Sequence, residues 1–96
     1  MIMETAYIAV TPGREDEFVA ALEEGKKILA QAQGFEVIHV HRGIERPNVI
    51  MLAIGWATLE NHTVDFREGP LFPQWRAVIS PFFENPPQVE HWNLVG

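Results

Sequence analysis

The chain predicts an α+β sandwich, a four-stranded antiparallel sheet with helices on one face, in the order βαββααβ. Three observations carry this. Period-two alternation marks strands from Met3 to Thr11 and from Phe35 to Arg42. Apolar residues at helical spacing mark a long helix from Arg14 to Ala32 and two shorter ones between Thr58 and Phe82. Between these lies a run from Asn48 to Trp56 that is apolar on both faces, as a central strand covered on both sides must be.

The elements follow in order. The first strand sets Glu4, Ala6, Ile8 and Val10 on one face and Met3, Thr5, Tyr7 and Ala9 on the other. Thr11-Pro12-Gly13 turns the chain into the long helix, whose stripe is Phe18, Leu22, Gly25 or Ile28, Leu29 and Ala32. Glu15, Asp16 and Glu17 load its first turn with charge that suits the helix dipole, and Gly34 is placed to end it. In the second strand Phe35, Val37, His39 and His41 share one face, with Glu36, Ile38, Val40 and Arg42 opposite. A polar connection of hairpin length leads to the central strand. Thr58 sits where an N-cap belongs, ahead of Leu59, His62, Thr63 and Phe66 on one helix face. Gly69-Pro70 breaks that helix. Phe72, Trp75, Val78 or Ile79 and Phe82 follow at helical spacing until Ser80-Pro81. Pro86-Pro87 then carries the chain, extended, into a last strand from about Gln88 to Val95. The order is that of a ferredoxin-like sandwich, and residues 1–96 form one domain. The doubly apolar central strand predicts a second sheet stacked on the open face, hence a two-fold homodimer.

Composition narrows the function. Apolar residues make up 47% of the chain, as in an ordinary globular protein. A net charge of −6, with the basic residues scattered, argues against nucleic acid or an anionic membrane surface as partner. There are no cysteines, so thiolate chemistry and disulfides are excluded. Met1-Ile2-Met3-Glu4 shows neither a basic n-region nor a long apolar run, so the expected compartment is the cytoplasm. Glycine-rich phosphate loops, GxSxG elbows and helical HExxH motifs are missing, which leaves nucleotide, flavin and hydrolase chemistry unsupported. His39, His41 and His91 would need Glu90 to complete a ligand set. Residues 90 and 91 of a strand point to opposite faces, so no metal site is predicted.

An apolar strand ending in Gly55-Trp56, then TLENH (residues 58–62), DFREGPLFPQWR (65–76), PFF (81–83) and PPQVEHW (86–92), resembles the antibiotic-biosynthesis-monooxygenase-like family of dimeric α/β barrels. The resemblance covers essentially the whole chain and is closest over its second half. It implies a dimer with a ligand cavity between helices and sheet. The reactions it implies are diverse, and include cofactor-independent oxygenation of aromatic polyketides and quinols. Where haem-degrading members carry their signature residues, this chain holds Ala6, Phe66 and Trp75 or Arg76, with no third-helix histidine for iron.

The expected site follows from both lines. His62, on the apolar face of its helix, is the candidate general base, since an imidazole titrates near working pH. Arg76 is the candidate partner of a developing oxyanion. Trp56, Phe66, Phe72, Trp75 and Phe82 are expected to enclose a small aromatic ligand, with Tyr7 donating its hydroxyl. The expected activity is monooxygenation without a cofactor. The alternative is a protein of the same fold that binds a small ligand without chemistry. A third reading fills the cavity with the chain's own aromatics and leaves a scaffold.

Overall fold

A computed structural model describes residues 1–96. Four antiparallel strands, β1 (Ile2–Ala9), β2 (Phe35–Arg42), β3 (Val49–Trp56) and β4 (Gln88–Trp92), form one sheet in the order β2-β3-β1-β4. Helices α1 (Glu15–Leu29) and α2 (Leu71–Ile79) pack together on one face. A π-helical turn, Asn61–Phe66, and a 3₁₀ turn, Ser80–Phe82, flank α2. The expected ferredoxin-like order is therefore present. No helix is long and apolar enough to cross a membrane.

The core lies between sheet and helices. Ile50, Leu52, Ile54 and Trp56 of β3 point into it, none more than 2% exposed, and Ala6 and Ile8 of β1, with Val10 just beyond it, join them. Burying each large side chain contributes roughly 1.5–3 kcal/mol, so this strip dominates the stability of the sandwich. Phe18, Leu22, Gly25 and Leu29 supply the buried stripe of α1. Gly25 is there because α2 comes close. A β-carbon at that position would lie 2.7 Å from the Trp75 ring.

Several boundaries differ from expectation, each for a local reason. The long helix stops at Leu29, because the next amides bond three residues back, Gln31 N–H to Ile28 O and Ala32 N–H to Leu29 O. Gly34 then turns the chain with a φ of +79°, a conformation open to glycine. A register shift between Phe35 and Val37 lets Phe35 join the core while Val37, His39 and His41 keep the other face. β4 ends at Trp92, not Val95, because its partner β1 runs out: Met3 already faces Trp92.

The sheet's other face carries no helix. Tyr7, Ala9, Val37, Val49, Met51 and Ala53 lie there half-buried, and His39 and His41 lie there exposed. Across β4 the same face holds Gln88, Glu90 and Trp92, the last donating its indole N–H to Thr5 Oγ1 at 2.7 Å.

Candidate functional site

The site begins with a turn that is wider than an α-helix. Thr58 caps it as expected: its hydroxyl accepts from Asn61 N–H at 3.2 Å, and Asn61 Oδ1 accepts from Thr58 N–H at 3.0 Å. The backbone then widens, with Arg67 N–H reaching His62 O five residues back at 3.1 Å. This changes which side chains face inward. Asn61, His62 and Phe66 are buried, Thr63 is half-buried, and Leu59 is left exposed instead of completing the expected stripe.

His62 enters an aromatic and polar cluster against the sheet. Its ring stacks on Trp56 at 5.3 Å and 20°, and Phe66 tilts against the same indole at 5.5 Å. Glu4 reaches it from β1. The Glu4 Oε1 accepts from Trp56 Nε1–H at 2.9 Å and lies 3.4 Å from His62 Nε2. On the far side, His62 Nδ1 and His91 Nε2 are 2.8 Å apart, one donating to the other. The register of β1 with β4 sets His91 directly opposite Glu4, which makes the chain Glu4–His62–His91 possible.

Burial sets the protonation of this chain. Withdrawn from water, the Glu4 carboxyl is raised to about 7, although the Trp56 hydrogen bond and the Arg67 charge pull it down. Burial, then the neighbouring His91 and Arg67, lowers His62 to about 4. His91 is lowered too, by burial and then by Arg67. Near neutral pH, therefore, Glu4 and His62 are close neighbours with Glu4 partly protonated and His62 neutral, not a fixed ion pair. His62 Nδ1 is engaged with His91, while Nε2 lies 3.4 Å from Glu4 where His62 meets the cavity.

A cavity of about 440 Å³ opens beside this chain, between the sheet and α2. Ala6, Ile8, Leu52, Ile54, Ile79 and Val89 form apolar walls; Glu4 and His62 stand at one end; Phe72, Trp75, Phe83, Pro86, Pro87, Arg67 and Arg76 complete it. Among the residues expected from sequence, His62, Phe72, Trp75 and Arg76 are brought together here. Trp56 and Phe66 stand behind the wall as packing for His62. Phe82 does not reach the cavity: it packs on Phe18 at 5.4 Å, and its neighbour Phe83 lines the space instead. The 3₁₀ turn explains this, because it shifts the phase of α2 and leaves Phe83 extended, bridged to Val10. Tyr7 is on the opposite face of the sheet, one step out of phase with Ala6 and Ile8, and lines a separate depression with Arg46 and Gln88.

Glu4, Arg67 and His91 were not nominated from the sequence. The signal for Glu4 was present, as an acidic residue on the inward face of an apolar strand. The histidines do not gather into a metal cluster, since His39 and His41 are on β2 at one sheet edge and His91 faces His62 at the other.

This architecture has relatives. The antibiotic biosynthesis monooxygenase model matches residues 1–78. The uncharacterised protein YczJ of Bacillus subtilis (strain 168) is 30% identical over 95 residues, covering 99% of this chain and 100% of that protein. A crystal structure from Bordetella bronchiseptica, provisionally assigned as an antibiotic biosynthesis monooxygenase, superposes with a TM-score of 0.95 at 39% identity, covering 98% of this chain and 96% of that one. A monooxygenase from the gene ActVA-Orf6 of Streptomyces coelicolor, solved with the ligand nanaomycin D, shares the fold at a TM-score of 0.82 and 17% identity, with 99% and 88% covered. With a family match over most of its length, the chain belongs to the antibiotic biosynthesis monooxygenase family.

Proposed function

We propose that this protein is a cofactor-independent monooxygenase acting on a small phenol or quinol. The observation that carries the reading is a buried carboxylate, joined to two imidazoles, at the end of an apolar cavity of about 440 Å³. Such a cavity is large enough for a small aromatic molecule.

In this reading Glu4 is the proton acceptor and His62 passes the proton on. A carboxyl raised to about 7 is poised to accept a phenolic proton near neutral pH. From Glu4 the proton moves to His62 Nε2 while Nδ1–H is released to His91 Nε2, which has access to solvent. The phenolate transfers one electron to dioxygen, and the two radicals combine at a hydrogen-bearing ring carbon ortho or para to the oxygen. The peroxide takes up a proton. Loss of the C–H proton and of hydroxide then gives the quinone, so one phenol and one dioxygen yield one quinone and one water. Arg76 holds the developing negative charge. The open sheet face, with its half-buried Val49, Met51 and Ala53, supports pairing with a second copy.

A second reading is favoured by one observation: no buried side-chain polar atom lacks a partner, as in a purely structural network. The same cavity would then bind a ligand without chemistry. Oxygen uptake with phenols and quinols separates the two. Uptake that falls about 100-fold in Glu4→Gln supports the enzyme, and no uptake above the protein-free rate supports the binding protein.

A further inference from the structure

We infer that the ligand of this cavity is an anionic aromatic molecule, a ring carrying a carboxylate, with Arg67 and Arg76 receiving the anion and the apolar walls receiving the ring. This rests on reading the cavity as the substrate site, and it names the class of molecule that enters.

Unpaired positive charge is concentrated at the cavity. The chain has 13 acidic and 7 basic residues, so a cation has many carboxylates to pair with. Four of the seven do pair: Arg14 with Glu17, Lys26 with Glu23, Lys27 with Glu24, and Arg42 with Asp16. The remaining three are Arg46, Arg67 and Arg76. Arg46 lies by the open sheet face. Arg67 and Arg76 both line the cavity and neither makes a close ion pair, Arg67 acting on the Glu4 carboxyl only at longer range.

These two side chains are also supported. The Arg67 Cζ sits 5.7 Å from the Phe72 ring centroid, and the Arg76 Cζ sits 5.7 Å from that of Phe83; both rings line the cavity. An aromatic platform holds a guanidinium while leaving its N–H donors free for an anion.

The charges facing the space are Glu4, His62, Arg67 and Arg76, with His91 behind His62. With His62 neutral, the sum is positive whether Glu4 is protonated or ionised. Glu4 is buried and the arginines are exposed, so polarity also gives an orientation. The carboxylate stays with the arginines and the ring's hydroxyl meets Glu4. A protein with a net charge of −6 repels anions at long range, so this patch is a local exception that selects for them.

The test is binding, not turnover. Affinities of 6-hydroxy-2-naphthoate and of 2-naphthol, which share the ring and differ by the carboxylate, are measured by anaerobic titration calorimetry. The naphthoate is expected to bind ~10-fold tighter or better, as charge-assisted hydrogen bonds imply, and to lose much of that advantage in high salt. The double variant Arg67→Gln/Arg76→Gln should bind the two alike, while Arg67→Lys/Arg76→Lys keeps part of the preference. Because both arginines are exposed, these variants are expected to fold. Equal or tighter binding of the naphthol, binding of neither compound, or a preference that survives the double Gln variant would overturn the inference. A carboxylate preference without any oxygen uptake would leave this inference standing and defeat the monooxygenase reading alone.

Discussion

Glu4 Oε1 lies 3.4 Å from His62 Nε2 beneath the Trp56 indole, and burial moves the two groups in opposite directions, Glu4 up to about 7 and His62 down to about 4. The account of the site rests on this pair. It places a carboxyl beside an imidazole where a cavity meets the core.

The pair makes stability depend on pH in a way that single variants expose. Below about pH 4.5 Glu4 is neutral folded or unfolded; from there to about 7 only the unfolded chain ionises, so stability falls as pH rises. The loss amounts to roughly 3 kcal/mol across that window. His62 does the reverse. From about 6.5 down to about 4 the unfolded chain takes up a proton that the folded chain refuses, so stability falls as pH drops. The slopes oppose each other where the windows overlap. Glu4→Gln should therefore gain stability relative to wild type as pH rises from 4.5 to 7, read as urea midpoints. Parallel curves for the two proteins would show that Glu4 is not raised.

Trp56 tunes the carboxyl. Its N–H is the hydrogen bond that holds Glu4 below the value burial alone would impose. Trp56→Phe should move the Glu4 titration to still higher pH and cost about 1–3 kcal/mol, the usual penalty for an unmade buried hydrogen bond. In a pH–rate profile the ascending limb, near 7 in wild type, should shift upward. An unmoved limb with the variant still folded would remove Glu4 from the rate law.

Gly25 controls how near α2 can approach α1. A β-carbon there would lie 2.7 Å from the Trp75 ring, and an indole cannot swing aside as a flexible chain end does. Gly25→Ala gains about 1 kcal/mol in helix propensity and loses about 1–3 kcal/mol by overpacking, so a net loss is expected. The melting temperature should fall by several degrees, and ligand affinity should fall with it as Trp75 is pushed into the cavity. A higher melting temperature with unchanged binding would mean the helices relax freely.

How far these features could be read from sequence depends on how local their causes are. β1, β3 and α1 were legible because alternation and helical spacing are written into contiguous residues. Phe35 was misassigned because a register shift depends on the partner strand. The π-helical turn depends on Asn61 being drawn to Thr58 and Asp65, which no periodicity announces. His62 was legible from the apolar company on its helix. His91 was not, since its meeting with His62 needs the β1–β4 register. Phe83 replaced Phe82 because one 3₁₀ turn changed the phase of a helix. Tyr7 is different. Its side of the sheet followed from the same alternation that set Ala6 and Ile8 inward, and grouping it with the cavity ignored that rule.

The central claim is that the Glu4–His62–His91 chain drives insertion of one oxygen atom into a phenol. Its most direct test is turnover of a naphthol-type substrate under ¹⁸O₂, with mass analysis of the quinone and Glu4→Gln run beside wild type. The account predicts one ¹⁸O atom per quinone formed, one dioxygen consumed per product, and a rate at least ~100-fold lower in the variant. A quinone free of ¹⁸O, or a variant as fast as wild type, would contradict it.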